Sequence, residues 1–285
     1  MSVADDEKEL EGSRAPLLTH LIELRSRLIV CIAALVVGFV ACFAFAEPIY
    51  LFLMRPYQVA NALVAEAHAK RGPFDLIEAM VGARKVVGLK PVEFVYTGPL
   101  EFFFTKMKLA AFGAVVITFP VLAFQLYRFV APGLYRRERK AFLPFLMAAP
   151  VLFTLGAALV YYVMLPFVLG FALSQQISTP EVRVSLLPKV ADYLDLVTKL
   201  LLAFGLCFQL PVVLSLVGLA GLVTAQQLGR YRRWAVLGIV VVAALVTPPD
   251  PVSQCLLAVP IYLLYEVSIW CVKLMELRRG KAVTL

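Results

Sequence analysis

The sequence predicts an all-α polytopic membrane protein of six transmembrane helices, with both termini on the cytoplasmic side. Three observations carry that reading. Hydrophobic residues fill 61% of 285 positions and charged residues 16%, with a mean hydropathy of +0.86, more apolar surface than a soluble domain of this size needs. Six apolar segments stand out, near 28–46, 103–124, 145–167, 196–219, 234–246 and 253–272. The basic residues behind the net charge of +8 lie in clusters between those segments, a topological pattern rather than a nucleic-acid-binding one.

The elements follow in order. Residues 16–28 read as a helix with Pro16 in its first turn. Leu17, Leu21, Leu24 and Leu28 share one stripe of it, and His20, Glu23 and Arg27 share another face. Arg25, Arg27, the run from Leu28 and Ala44-Phe45-Ala46 imitate a cleavable secretory signal. The run is 19 residues long, however, and six acids (Asp5, Asp6, Glu7, Glu9, Glu11, Glu23) precede it, so a retained anchor is expected. The loop 47–101 is too long for a connector. Ala60 to Lys70 and Phe74 to Val87 read as short amphipathic helices parted by Gly72-Pro73, a periplasmic cap. Segment two opens at Tyr96-Thr97-Gly98-Pro99-Leu100-Glu101 and holds Lys106 and Lys108 near its outer end, where snorkelling explains both.

Segment four contains Phe208-Gln209-Leu210-Pro211, a polar residue beside a helix-breaking proline in mid-membrane. Such a residue is a functional candidate, although interhelical bonding is the common outcome. Segments five and six are short. Ala235 to Val246 is 12 residues, about 18 Å of helix against a hydrocarbon core of about 30 Å. Pro260 interrupts segment six, with Gln254 and Glu266 inside it. The turn Thr247-Pro248-Pro249-Asp250 leads in, and Asp250 is either a cap for segment six or a functional group.

Loop charges orient the chain. With the N-terminus inside, 16 Lys and Arg lie on the cytoplasmic side and eight outside, six of those in the 47–101 loop, which gives N-in/C-in. The expected parts are a cytoplasmic segment 1–27 with its amphipathic helix, a six-helix domain 28–272 capped by 47–101, and a cytoplasmic tail 273–285. Cys31, Cys42, Cys207, Cys255 and Cys271 all fall in apolar runs without CxxC spacing, as inert buried thiols do. With only two histidines and no His/Cys cluster, neither a metal site nor another cofactor is expected.

Two glutamates stand apart. Glu23 sits in His20-Leu21-Ile22-Glu23-Leu24-Arg25, and Glu138 in Pro132-Gly133-Leu134-Tyr135-Arg136-Arg137-Glu138-Arg139. Their plain roles are local: Glu23 can pair with Arg27 four residues on, and Glu138 can temper repulsion among its basic neighbours. Alternatively the two carboxylates jointly accept guanidinium groups at the membrane surface, which arginine suits because its planar fork binds a carboxylate bidentately. Tyr127 and Phe129 lie between them and can be ordinary interfacial aromatics.

In order and topology these motifs resemble the TatC family, the receptor subunits of the twin-arginine protein translocase. The resemblance covers about residues 16–275. It rests on Pro16-Leu17, His20-Leu21-x-Glu23-Leu24-Arg25, Arg55-Pro56, Phe119-Pro120, Gln125, Phe129, Pro132-Gly133-Leu134-Tyr135, Glu138-Arg139, Phe208-Gln209-Leu210-Pro211, and Thr247-Pro248-Pro249-Asp250 with Ser253-Gln254. The resemblance implies a concave, glove-like bundle in the bacterial cytoplasmic (inner) membrane that binds twin-arginine signal peptides. It also implies self-association in a receptor complex and recruitment of the single-span partners TatB and TatA, with transport of folded proteins driven by the protonmotive force. Glu23, Arg25, Phe129 and Glu138 correspond to the signal-binding surface, and Pro56 and Asp250 to functionally sensitive outer-side positions. Gln209, Thr247 and Gln254 correspond to polar positions that contact partner helices. Many members carry glutamate where this chain has Gln209, and the first outer loop is longer here.

Two other classes compete. A secondary solute or ion transporter commonly shows internal repeats and acids at the membrane midplane, whereas here the acids lie at the interfaces and no repeat is visible. An intramembrane enzyme would need a dyad or metal motif, and neither HExxH nor GxSxG occurs. The chain therefore reads as a protein-translocase subunit rather than an enzyme.

Overall fold

The structure, a computed structural model, describes residues 3–65, 78–80, 93–130, 139–178, 183–184, 188–247 and 251–283. Its helices are α1 (Val3–Ala44), α2 (Ala46–Ala65), α3 (Glu101–Val130), α4 (Arg139–Leu159), α5 (Leu165–Ser174), α6 (Val190–Cys207), α7 (Leu210–Leu219), α8 (Ala225–Arg230), α9 (Arg232–Val246) and α10 (Pro251–Val283). A π-helical turn, Val160–Met164, joins α4 to α5, and two-residue strands β1 (Ile177–Ser178) and β2 (Arg183–Val184) form a small hairpin. Among the described residues, five stretches are long and apolar enough to cross a bilayer: Leu21–Ala44, Glu101–Phe129, Phe145–Ser174, Val190–Leu219 and Ser253–Leu277. These are spans one to four and six. Span five is α9, whose 15 residues reach about 22 Å against about 30 Å of hydrocarbon.

Small residues let the spans approach. Helices in lipid gain little from burying apolar surface, so they associate through close packing at glycine and alanine. A Cβ on Gly38 of span one would lie 2.8 Å from Thr118 Cγ2, and one on Gly113 of span two 2.8 Å from Cys42 Sγ. Spans three and four meet likewise, with Gly156 against the Phe208 ring and Gly205 against the Phe153 ring. Gly218 of α7 receives Val272 of α10. Apart from span two, span one has little cover: 11% of its apolar window is buried.

Several elements depart from the sequence reading, each for a local reason. α1 begins at Val3, well ahead of Pro16, because the intervening Ala, Glu, Lys, Leu and Arg are strong helix formers. The cap helix begins at Ala46 rather than Ala60. Pro48 falls in its first turn, where a missing N–H costs nothing. Of the second cap helix expected over 74–87, only the helical residues 78–80 are described. Span three runs to Ser174 through the π-helical turn, in which the Leu165 N–H donates to the Val160 carbonyl, five residues back. Pro166 explains the widening: it has no N–H, and its ring would crowd the carbonyl four residues before it. Span four starts at Val190 and breaks at Phe208–Gln209, ahead of Pro211. Pro260 does not interrupt span six, which continues as one helix of 33 residues.

The cap is part of the core. Leu53, Met54, Tyr57, Val59, Ala60, Ala79 and Met80 join one buried cluster with residues of spans two, three, four and six. A bridge at Val95 and Lys189 ties the end of the cap to the start of span four, with the Val190 N–H donating to the Val95 carbonyl at 3.1 Å. The Glu101 carboxylate caps span two, accepting from the Thr97 and Gly98 N–H groups at 2.7 and 3.1 Å. Lys106 sits over the Phe102 ring, 5.2 Å from its centroid. Lys108 reaches sideways rather than outwards, placing Nζ 3.5 Å from Asp195 Oδ1 on span four, where Lys199 also pairs.

Candidate functional site: a guanidinium-accepting carboxylate

Glu23 lies at the start of span one, on the face of the bundle opposite the cap. Its carboxylate is half-buried, with 32% of the side chain exposed. One oxygen, Oε1, accepts from Nη2 and Nε of Arg27 at 2.5 and 3.2 Å, so the pairing expected four residues apart does form. Arg27 is more enclosed, at 17% exposed, and its Nη1 donates to Gln125 Oε1 of span two at 3.2 Å. A chain from carboxylate to guanidinium to amide therefore ties the ends of spans one and two together. Neither periodicity nor spacing places Gln125 there; the contact depends on the helix register.

That register also locates Phe129. Cys42 meets Gly113, Gly38 meets Thr118, and Arg27 meets Gln125, an antiparallel run whose next turn brings Phe129 level with Glu23. Phe129 is half-buried and Arg25 exposed. The Arg128 guanidinium sits 5.9 Å from the Phe124 ring centroid. Tyr127 turns away from this face and is buried with Ala123, Ala149 and Val212. Its packing side is a tertiary outcome, and the sequence leaves it among the interfacial aromatics. Glu138 and Asp250 lie outside the described residues.

The remaining candidates sit elsewhere and bind backbone. Gln209 Nε2 donates to the Ala149 carbonyl of span three at 3.0 Å. The break beside it explains the proximity of a second carbonyl, Gly205, at 3.5 Å, because the Gln209 N–H has turned to Leu206 instead. An ionised carboxylate at 209 could donate to neither carbonyl. Thr247 is buried and its hydroxyl donates to Ala243 at 2.8 Å, while Gln254 of span six donates to Val240 of span five at 3.3 Å. Pro56 is buried inside α2. Glu266, midway along span six, receives Arg232 in a bidentate pair at 2.8 Å and the Tyr262 hydroxyl at 2.8 Å. Among the described residues no group of His, Cys, Asp and Glu could hold a metal ion.

Residues 19–260 match the family model for TatC, the Sec-independent protein translocase protein. A TatC protein of Magnetococcus marinus is 40% identical over 268 residues, 94% of this chain and 88% of the relative. The Escherichia coli K12 TatC is 34% identical over 256 residues, 90% of this chain and 87% of the relative. Among solved structures, a crystal structure of the twin arginine translocase receptor TatC superposes with a TM-score of 0.69 at 32% identity, covering 90% of this chain and 98% of that one.

Proposed function

The chain belongs to the TatC family of Sec-independent protein translocase proteins, and from that premise we propose that it receives twin-arginine signal peptides at the Glu23 face. The observation that carries the site is the fork at Glu23. Nε and Nη2 of one guanidinium already converge on its Oε1, so the carboxylate accepts the kind of group a signal peptide would bring. Arg27 holds the place until an incoming arginine exchanges with it. Glu138 supplies the second carboxylate, Phe129 packs against the bound peptide, and Arg25 helps to set its register.

The orientation follows the loop charges, with the Glu23 face in the cytoplasm and the cap in the periplasm of a bacterial inner membrane. Gln209, Thr247 and Gln254 contact single-span TatA- and TatB-type helices, several copies of the chain share one receptor complex, and the protonmotive force drives passage of folded substrates. A solute-transporter reading gains no support from Glu266, whose charge is matched by Arg232.

The test is photo-crosslinking of a labelled Arg-Arg signal peptide in membranes beside an otherwise identical Lys-Lys peptide. Crosslinks to span one and the span two–three loop are expected for Arg-Arg alone; equal labelling of both peptides would discard the receptor site. Arg27 provides a second expectation. Because a partly exposed ion pair is worth about 0.2–1 kcal/mol, Arg27→Gln should tighten Arg-Arg peptide binding by up to about fivefold in a fluorescence titration. Weaker binding would show that Arg27 orients Glu23 instead of competing for it.

A further inference from the structure

The cap helix α2 carries a proline near its middle, and a neighbouring span supplies what that proline removes. In an α-helix each N–H donates to the carbonyl four residues back, so Pro56 leaves the Phe52 carbonyl with no donor from its own helix. Pro56 is under 2% exposed and Phe52 lies at the part-buried edge of the cap. The Tyr161 hydroxyl donates to the Phe52 carbonyl at 2.8 Å. Its ring also lies flat on the Phe52 ring, with centroids 4.4 Å apart and planes 1° from parallel. Tyr161 is itself 4% exposed and belongs to the π-helical turn ahead of Pro166. From within that widened turn the phenol faces α2. One residue further along α2, Tyr193 of span four donates to the Leu53 carbonyl at 2.8 Å, whose donor in a regular helix is the Tyr57 N–H and not residue 56.

We infer that Pro56 and Tyr161 form a matched latch: the proline vacates one carbonyl of the cap helix, and the phenol of span three takes it. The latch fixes the height and rotation of the cap over the bundle. Phe52, Leu53 and Tyr161 also line an apolar cavity of about 330 Å³ with Gly113, Thr154 and Leu201, so the latch sets the roof of that cavity. Tyr161 is thus a positioning residue for the cap side of the translocase. Only this last consequence rests on the translocase reading; the hydrogen-bond logic does not.

Pro56→Ala restores an N–H at position 56, which gives a sharp test on the full-length protein in detergent. Tyr161→Phe is expected to lower the melting temperature by a few degrees, because the part-buried Phe52 carbonyl loses its donor. Adding Pro56→Ala should recover most of that loss, since the restored backbone N–H donates to the Phe52 carbonyl in place of the phenol. Adding Pro56→Ala to Tyr193→Phe should recover far less, because residue 56 supplies no donor to the Leu53 carbonyl. If Tyr161→Phe alone yields no folded protein, recovery of folded protein in the double variant carries the same meaning, and its absence overturns the latch. Additive losses, or equal rescue of both tyrosines, would also overturn it. Export of an Arg-Arg passenger in cells is the second readout. Tyr161→Phe should cut export at temperatures where the protein stays folded, and parent-level export there would overturn the positioning role. A parent that exports nothing while the melting cycle holds would instead count against the translocase reading.

Discussion

Glu23→Gln combined with Glu138→Gln abolishes discrimination between Arg-Arg and Lys-Lys signal peptides. Glutamine keeps the shape of each side chain and one acceptor, but loses the charge that makes a guanidinium fork strong. A hydrogen bond to a charged group contributes about 1.5–3 kcal/mol when shielded, so two such sites supply roughly 3–6 kcal/mol, or about 10²–10⁴-fold in affinity. Glu23, with 32% of its side chain exposed, belongs near the lower end, and each single substitution is expected to cost about tenfold. The measurement is the dissociation constant of an Arg-Arg peptide from the purified receptor complex, with crosslinking in membranes as the companion assay. Unchanged binding by the double variant, with normal insertion, would remove both carboxylates from the site.

Gly205→Val should markedly lower the amount and melting temperature of folded protein in the membrane. A Cβ at that position would lie 2.5 Å from Phe153 Cε2, and the ring has no free direction in which to move. It is 3% exposed and stacked on Phe119 with centroids 4.0 Å apart. Across the same contact, a Cβ on Gly156 would lie 2.9 Å from the Phe204 backbone carbonyl. Spans three and four would have to separate by the width of a side chain, breaking the contact that also seats Gln209 on Ala149. Overpacking of a tight interior costs about 1–3 kcal/mol, and a β-branched side chain against a buried ring lies at the top of that range. Accumulation in membranes and the detergent melting profile check it. Gly229, with open space beyond its Cβ, is the control, and Gly229→Ala should behave like the parent.

The spans were legible in the sequence because soluble folds seldom carry apolar runs of membrane length. The Glu23–Arg27 pair was legible too, since four residues on one helix are always neighbours. What escaped depends on two distant segments meeting. The Gln125 contact to Arg27 needs the register of spans one and two, which Gly38 and Gly113 set through close approach. The early start of the cap helix escaped because Pro48 and Pro56 argue against a helix by propensity. Position in the first turn excuses one, and a tyrosine more than a hundred positions away satisfies the carbonyl freed by the other. The π-helical turn before Pro166 is in the same class: the proline is visible in the sequence, but whether it kinks, breaks or widens the helix is settled by what packs around it.

Span one is the least enclosed of the long spans, and this bears on biogenesis. Its first spanning neighbour, span two, begins only at Glu101, after the whole cap has been synthesised. At about 5–20 residues per second, the newborn helix spends several seconds with no other span beside it. It must therefore be a self-sufficient anchor from the moment it leaves the insertion machinery. Its exposed Leu28, Ile29, Val36, Val37 and Val40 suit it to that interval, and Gly38 waits as the docking notch. The nascent chain can thus begin as a helical hairpin, on which the later spans are laid as they emerge.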